Sequence, residues 1–510
     1  MTTVNYRRLL VNILLYMNIV QISLQTVRNL AQGRITGVSQ DGYVSYVGIP
    51  YASVNGNVGR FKGAGLAPVW SGVRESRDPH CSSMSEVEAC LQLDVHVPGS
   101  GSQMPVLVWV KGGSGNYHPG KLVAQGIIVV VVRHRLGALG FLCSKGDKIP
   151  GNAGIKDVLQ ALRWVRDNIV AFNGNPHKVV LGGQSFGAAM VEGLMLLSSS
   201  RELFHGVILQ SGSILCPWTF NYDAEDRANA LRKMLNDTDV TVPSILKTDT
   251  ITLETKAEAI DFPYMPFGIC VEKPYKNEEG VILETPYTLL LKGKTRAVPL
   301  LMGYNTNEAY IFVSMLKDAN IAPKMSKDMT VLLPEEFQNL SERTLLQMTK
   351  QINDLYFVNK TMAAVLSYHR DAYFLSHIHQ SLRFHAKMHQ PVYYYQFSYS
   401  SNIGVQPEPG LRKFGAAHSD ELAYLFPQNG RDLEDDDGAV QQHLIRLWSN
   451  FVKHLNPTPE MNSQIRWEPT GPDHPRVLDI NTELEMKEFP HTQNVQIWEN
   501  IYDKYYYTKK

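Results

Sequence analysis

The chain has 510 residues, and its 49 Lys and Arg residues balance 49 Asp and Glu residues, so the formal net charge is zero. Binding to DNA or RNA needs a basic excess or a basic stripe, and the sequence has neither. With 44% apolar and 19% charged residues, the composition is that of an ordinary globular protein, which excludes global disorder. Five cysteines are too few for a disulfide-dense scaffold, and their odd number leaves at least one thiol unpaired.

The N-terminal residues have the order of features found in a secretory signal peptide. Arg7 and Arg8 precede an apolar stretch that begins at residue 9 and ends at about residue 24, although no defined cleavage site follows. The alternative is an N-terminal core helix. A membrane anchor is disfavoured, because a spanning helix needs about 20 apolar residues with fewer polar interruptions. We expect residues 1–24 to be a signal peptide and the protein to be secreted without a membrane anchor. Candidate glycosylation sequons lie at Asn236, Asn339 and Asn359.

Apolar, β-branched runs alternate with helical segments along most of the chain. The run at residues 127–132 is apolar on both faces, which is typical of a strand in a parallel sheet covered by helices on both sides. The segment 155–172 repeats its apolar residues at helical spacing instead. Further strand candidates are residues 105–110, 178–182, 206–209, 298–304 and 392–399. The order predicts an α/β fold with a mostly parallel sheet, and the acidic run at 432–437 is interpreted as a solvated loop.

The segment GQSFG, residues 183–187, is a G-x-S-x-G pentapeptide. Alone it is weak evidence, because chance produces the pattern in roughly one protein in six of this length. Here an apolar strand candidate precedes it and an Ala-rich helical segment follows, which is the setting of a nucleophile elbow. Such a turn lifts the Ser185 hydroxyl off the sheet, and the N-terminus of the helix favours an anion beside it. The alternative is a tight strand-to-helix turn without chemistry.

A nucleophilic serine requires a base and an acid that orients the base. Glu308 follows the strand candidate 298–304, and His418 follows the strand candidate 392–399, so the chain order is Ser, Glu, His. Each residue has a simpler interpretation: Glu308 as a surface carboxylate and His418 as a structural histidine. Eleven histidines lie beyond Ser185, and composition does not choose among them.

Further motifs extend over most of the chain. They include GRITG at 33–37, YVGIPYA at 46–52, GNAGIKDVLQALRWVRDNIVAFNGNP at 151–176, LQSGS at 209–213, GYNTNEA at 303–309 and GAAHSDELAYLF at 415–426. In this order they resemble the type-B carboxylesterase/cholinesterase family of α/β-hydrolases, from about residue 33 to about residue 490. The resemblance implies that residues 25–510 form one large α/β-hydrolase domain. It also implies Ser185 as the nucleophile, Glu308 as the acid and His418 as the general base, with no metal or organic cofactor.

The resemblance also implies an oxyanion hole made by the backbone N–H groups of Gly113, Ser114 and Phe186. The family usually has His or Tyr followed by three glycines where this chain has KGGS at residues 111–114, and a small residue where it has Phe186. Losing one oxyanion donor lowers the rate by about 10²–10³. These differences therefore concern the rate of the reaction and not its type.

Cys81 and Cys90 align with a disulfide of the family, which fits an oxidising compartment. The loop between them has no aromatic residue, whereas cholinesterases carry a Trp there that binds the quaternary ammonium group. Gln184 resembles the G-Q-S-A-G pattern of juvenile hormone esterases, but Phe186 replaces the Ala of that pattern, and Val158 follows Asp157 where those esterases have Gln. The sequence leaves open the pairing of Cys143, Cys216 and Cys270.

We therefore predict a secreted serine carboxylesterase that hydrolyses small, uncharged, lipophilic esters through an acyl-enzyme. The main alternative is a catalytically weakened, esterase-like ligand-binding or adhesion ectodomain, which the altered KGGS segment and Phe186 favour. A juvenile-hormone-type esterase and a lipase are further alternatives. No nucleic-acid partner is expected, and neither the oligomeric state nor the acyl and alcohol preference is readable from the sequence.

Overall fold

The computed structural model describes most of the chain from residue 26 onward. The described ranges are 26–54, 59–77, 90–113, 118–144, 149–235, 244–260, 265–275, 278–318, 330, 333–337, 339–357, 361–401, 403–405, 415–428, 432–460 and 465–507. The predicted signal peptide, Cys81, Ser114, Asn236 and Asn359 lie outside the described residues.

An 11-stranded mixed sheet forms the centre of the fold. In order across the sheet, its strands are β14 (Leu484–Glu488), β13 (Arg476–Ile480), β12 (Val392–Phe397), β11 (Leu300–Asn305), β10 (Gly206–Gln210), β9 (Gly174–Gln184), β7 (Met104–Val110), β8 (Ile128–Val132), β6 (Gln92–Pro98), β4 (Tyr43–Pro50) and β3 (Val38–Ser39). Neighbouring strands from β13 to β8 are parallel, and both edges of the sheet are antiparallel. A second sheet contains β1 (Val27–Leu30), β2 (Gly33–Thr36) and β5 (Val73–Glu75).

Helices connect the strands. The α-helices are α1 (Gly120–Val123), α2 (Gly137–Phe141), α3 (Ala153–Asn168), α4 (Phe186–Met195), α5 (Ala224–Met234), α6 (Thr250–Glu258), α7 (Pro286–Leu291), α8 (Val313–Asp318), α9 (Glu342–Tyr356), α10 (Met362–Arg370), α11 (Ser376–Ala386), α12 (Leu422–Leu425), α13 (Asp435–His454) and α14 (Thr492–Tyr505). Short 3-10 helices cover Ile169–Phe172, Ser198–Ser200, Ser244–Leu246, Glu308–Phe312 and Glu335–Phe337, and a π-helical turn covers Asp371–Leu375.

The central sheet separates two hydrophobic cores, as strand β7 shows. Val106, Val108 and Val110 belong to one core, whereas Leu107 and Trp109 belong to the other. Successive side chains of a strand point to opposite faces, so a strand with apolar residues at every position is covered on both sides. The predicted α/β class with a mostly parallel central sheet is confirmed.

Several boundaries differ from the sequence-based expectation. Strand β9 begins at Gly174, four residues before the predicted 178, and the predicted helix 155–172 divides into α3 and a 3-10 helix. The interpretation of the acidic run as a loop was wrong for Asp435, Asp436 and Asp437, which form the first turn of α13. Carboxylates are favourable there because they face the positive end of the helix dipole.

The structure assigns the cysteines that the sequence left open. Cys143 forms a disulfide with Cys270 at a sequence separation of 127, and Cys216 is buried with a free thiol. The predicted bridge between Cys81 and Cys90 involves a residue outside the described ranges and stays a prediction.

Candidate active site

Ser185 lies in the sharp turn between strand β9 and helix α4. Its backbone angles are φ 59° and ψ −127°, a conformation that L-residues rarely adopt and that the surrounding structure must hold in place. The backbone N–H of Ser185 donates to the carbonyl of Gln210 at 2.8 Å, which fixes the turn to strand β10. The side chain of Ser185 is partly exposed, so a substrate can reach its hydroxyl.

The two glycines of the pentapeptide are required by close backbone contacts. A Cβ atom on Gly187 would lie 2.3 Å from the carbonyl oxygen of Val110, and one on Gly183 would lie 2.5 Å from the carbonyl oxygen of Gly187. No side chain fits at either position without displacing the backbone. The G-x-S-x-G spacing therefore follows from the packing of the turn between two strands and a helix.

The structure brings Ser185, His418 and Glu308 into one hydrogen-bonded chain. Nε2 of His418 lies 2.8 Å from Oγ of Ser185, and Nδ1 of His418 lies 2.6 Å from Oε2 of Glu308. Glu308 is fully buried and His418 is 4% exposed. An ionised carboxylate only accepts hydrogen bonds, so Nδ1 carries the proton and Nε2 accepts the serine hydroxyl.

The electrostatics of His418 suit a general base. Burial is the largest single effect and disfavours the charged imidazolium, but the charge and hydrogen bond of Glu308, together with smaller contributions from Glu421 and Asp420, raise the pKa of His418. The imidazole is therefore prepared to accept a proton from Ser185.

Neighbouring backbone segments hold the acid and the histidine in register. Glu308 begins a 3-10 helix directly after β11, and its Oε1 accepts the backbone N–H of Asn305 at 2.7 Å. Asn307 forms an isolated parallel bridge with Ala417, the residue before His418. This bridge ties the loop that carries the histidine to the end of the strand that carries the acid.

Gly112 of the KGGS segment lies directly against the nucleophile turn. A Cβ atom on Gly112 would lie 2.2 Å from the carbonyl oxygen of Gln184 and 2.8 Å from Cβ of Ser185, whereas one on Gly113 would meet no atom of the described residues within 4 Å. Within the described residues, the backbone N–H groups of Gly113 and Phe186 make no hydrogen bond and are available to a ligand. Ser114, the third predicted donor, is outside those residues.

The ring of Phe186 packs into the protein interior. It makes an edge-to-face contact with Phe141 of helix α2, with ring centroids 4.9 Å apart, and the residue is 3% exposed. The bulky side chain that distinguishes this turn from the family pattern is thus accommodated by an aromatic pair, and its backbone N–H remains at the start of α4.

Three residues beside His418 were missed as site residues by sequence reasoning. Gln184 Nε2 lies 3.2 Å from His418 Nε2 and donates to Ser419 Oγ at 2.8 Å. The ring of Phe374, in the π-helical turn, lies 5.2 Å from the His418 ring. Glu421 is the third: Gln210 and Asn305 hold its buried carboxylate, and its charge contributes to the raised pKa of His418. Its position three residues after His418 was the only signal in the sequence. Among the described residues, no cluster of His, Cys, Asp and Glu could hold a metal ion, and no helix is long and apolar enough to cross a membrane.

A sequence profile of the carboxylesterase family matches residues 24–498. The chain belongs to this family. It is 27% identical over 478 residues to esterase FE4 of Myzus persicae, an alignment covering 84% of this chain and 83% of the relative. It is 28% identical over 508 residues to juvenile hormone esterase of Heliothis virescens, covering 88% of this chain and 89% of the relative.

Solved structures agree with these relatives. The crystal structure of juvenile hormone esterase from Manduca sexta, with OTFP covalently attached, matches with a TM-score of 0.82 and 25% identity, over 94% of this chain and 99% of that chain. A structure titled PNB esterase matches with a TM-score of 0.74 and 21% identity, over 93% of this chain and 100% of that chain. This carboxylesterase family member therefore has the α/β-hydrolase fold and is a carboxylic ester hydrolase.

Proposed function

We propose that the protein is a serine carboxylesterase in which Ser185, His418 and Glu308 form the catalytic triad. The hydrogen-bonded chain from Ser185 Oγ through the imidazole to Glu308 carries this proposal. Nucleophile, base and orienting acid occur in the geometry that acyl transfer requires.

The reaction begins when Ser185 Oγ attacks the carbonyl carbon of the ester while Nε2 of His418 takes the hydroxyl proton. The carboxylate of Glu308 holds the imidazolium through Nδ1. The tetrahedral intermediate expels the alcohol, to which His418 returns the proton, and an acyl-enzyme remains. Water then attacks the acyl carbon with His418 again as base, which releases the carboxylic acid and restores Ser185.

The oxyanion of the intermediate requires donors placed before the reaction begins. The N–H groups of Gly113 and Phe186, which make no hydrogen bond to any described residue, support this role, and the N–H of Ser114 is proposed as the third donor. Phe186 is also the first residue of helix α4, whose N-terminus favours negative charge.

Aromatic side chains around the histidine favour uncharged, lipophilic esters. Phe374 lies 5.2 Å from the ring of Trp218 and 5.9 Å from that of Phe312, in addition to its contact with His418. Apolar walls stabilise apolar acyl or alcohol groups, and they offer no ion-pair partner to a charged substrate.

A juvenile-hormone-type esterase is a second candidate. The similarity to two juvenile hormone esterases and the Gln184 that precedes the nucleophile favour it. Competition assays that compare juvenile hormone with a short-chain aryl ester separate the two: a much higher kcat/KM for the hormone favours this candidate, and turnover of the aryl ester alone excludes it.

The proposed function is tested with a fluorophosphonate probe and a short-chain aryl ester. We expect wild type to be labelled and to turn over the ester, and Ser185→Ala to do neither while remaining folded. A folded wild type that neither reacts with the probe nor hydrolyses the ester would favour a ligand-binding or adhesion ectodomain. Labelling that persists in Ser185→Ala would refute the assignment of the nucleophile.

We also propose that residues 25–510 form one domain, because the strands of the central sheet extend from Val38 to Glu488. We propose that this domain is secreted, because residues 1–24 have the features of a signal peptide. Asn339 is exposed, as a glycosylated residue must be. Expression in a secretory cell should yield medium-borne protein lacking about the first 24 residues, with a glycosidase-sensitive mass. Retention of an intact N-terminus inside the cell would contradict secretion.

A further inference from the structure

Glu421 is a second buried acid close to the proposed triad. It is fully buried, three residues after His418, and forms no ion pair with Lys or Arg in the described part of the chain. Its two oxygens accept hydrogen bonds from amide groups, Oε1 from Gln210 Nε2 at 2.8 Å and Oε2 from Asn305 Nδ2 at 2.5 Å. Both partners come from the ends of parallel strands, β10 and β11, that flank the site.

The surrounding amides are oriented to receive a carboxylate. The indole N–H of Trp448 donates to Gln210 Oε1 at 2.7 Å, and because indole nitrogen is only a donor, the Gln210 amide must present its NH₂ group to Glu421. Asn305 Nδ2 also donates to the carbonyl of Ala417 at 2.7 Å, which fixes that amide in the same way. Two donors that cannot reverse without losing a bond favour the ionised form of Glu421.

Asn305 connects this acid to the triad acid. Its backbone N–H donates to Glu308 Oε1 at 2.7 Å, while its side-chain amide donates to Glu421 Oε2. A single asparagine therefore holds two buried carboxyl groups at one side of His418. The histidine contacts the first acid directly and receives the field of the second through the protein interior.

The charge state of Glu421 reflects its neighbours. Burial and the charge of Glu308 raise the pKa of Glu421 to about 7, although the two amide donors and His418 oppose this shift. Glu308 raises the pKa of both Glu421 and His418, and Asp420 raises that of His418. The carboxylate of Asp420 accepts the backbone N–H groups of Ala417 and Val405, both at 2.7 Å. The phenol of Tyr395 is buried and stays neutral, because burial raises its pKa well above its usual value.

We propose that Glu421 is a positioning residue whose carboxylate, held by Gln210 and Asn305, stabilises the imidazolium that forms on His418 during proton transfer from Ser185. This inference rests on the proposed triad and extends it. Glu421 contacts neither Ser185 nor a substrate; it acts by its negative charge on the base and by the Asn305 bridge to Glu308.

The charge of Glu421 has a defined effect on the pH dependence. A negative charge nearby favours protonated His418, so removing it lowers the histidine pKa and moves the acid limb of kcat/KM to lower pH, by about half a unit to one unit. Loss of the negative charge of Glu421 also destabilises the transition state, in which His418 is protonated, so kcat/KM on the alkaline plateau falls by up to roughly tenfold. In wild type, protonation of Glu421 should add a second inflection near pH 7.

The test compares pH profiles of kcat/KM for an aryl ester and of the rate of fluorophosphonate labelling. We expect Glu421→Gln to lack the inflection near pH 7 and to show the lowered acid limb, and Glu421→Asp, which keeps the charge, to retain the inflection. The matched control is Glu499→Gln, because Glu499 is also a buried acid with a pKa raised to about 7 by burial, but pairs with Arg383 and does not contact the triad.

A second variant tests the same idea without removing the acid. Trp448→Phe deletes the indole donor, so the Gln210 amide can turn its oxygen toward Glu421; we expect the inflection to move to higher pH. If Glu421→Gln is folded and active with the wild-type pH profile, or if both variants leave the inflection unchanged, the inference is overturned. A wild type that neither labels nor hydrolyses esters refutes the triad itself, and with it this role for Glu421.

Discussion

Oε2 of Glu308 lies 2.6 Å from Nδ1 of His418, although 110 positions separate the two residues along the chain. Both are buried, so the bond is shielded from competition with water. Glu308→Gln replaces the acceptor by a group that can donate, which turns His418 toward the wrong tautomer. We expect kcat to fall by about 10³–10⁴ with little change in KM, as measured by steady-state ester hydrolysis. A variant with near wild-type kcat would remove Glu308 from the triad.

The KGGS segment provides a steric test. Gly112→Ala would place Cβ 2.2 Å from a backbone oxygen of the nucleophile turn, so the turn or the loop must move. We expect a lower melting temperature and a loss of kcat of at least about 10². Gly113→Ala is the control for stability, because its Cβ would contact none of the residues that the structure describes, and its melting temperature should stay close to that of wild type. Equal melting temperatures for the two variants would contradict the close contact at Gly112.

The Cys143–Cys270 disulfide closes a large loop of the chain, with a sequence separation of 127. Chain-entropy arguments predict that Cys270→Ala lowers the free energy of unfolding by roughly 4–5 kcal/mol, as measured by denaturant titration. Cys216→Ala removes a buried free thiol and should cost only about 1 kcal/mol. If the two variants are destabilised equally, the bridge does not form in solution.

The buried ion pair between Arg135 and Asp157 predicts a large effect of mutation. Both side chains are fully buried, and Asp157 accepts from the guanidinium at 2.5 and 2.8 Å. Asp157→Asn leaves the guanidinium without a counter-charge and should lower the free energy of unfolding by about 3–5 kcal/mol. The exposed pair of Asp167 with Arg166 is the matched control, and Asp167→Asn should cost less than about 1 kcal/mol. Similar costs would contradict the burial of the first pair.

Buried histidines predict a loss of stability in acid. Burial lowers the pKa of His377 and of His379 to about 3, from 6.5 in an exposed residue. The unfolded chain therefore binds more protons than the native state between pH 6.5 and about 3, and stability is lost as the pH falls through that window. Glu421 and Glu499 act in the opposite direction between pH 4.5 and about 7, so the decisive measurement is a difference between variants.

His377→Gln removes one of these titrations. Its melting temperature should fall less steeply than that of wild type between pH 7 and pH 5, whatever its absolute stability at pH 7. If the plots of melting temperature against pH are parallel for the two proteins over this range, His377 is not held neutral by the fold.

Local sequence patterns predicted the strands and helices that position the site. The apolar run at residues 127–132 became the buried strand β8, and the glycines around Ser185 occupy the turn where a Cβ does not fit. These features depend on a few neighbouring residues, so their patterns can be recognised in the sequence before the fold is known. The acidic run at the start of α13 was misread because charge indicates exposure, which a helix N-terminus also provides.

The order of motifs along the chain was enough to indicate the carboxylesterase family and to select Ser185, Glu308 and His418, whose catalytic roles stay predictions. Only the tertiary structure showed that His418 contacts Ser185, that Cys143 pairs with Cys270, where the ring of Phe186 packs and that Gln210 and Asn305 hold the carboxylate of Glu421. These contacts join residues that are far apart in the chain, and the order of strands in the sheet brings them together. The carboxylate of Glu421, for example, is held by amides at the ends of two strands. Periodicity and composition report how each segment meets water, whereas the choice of partner depends on packing between segments.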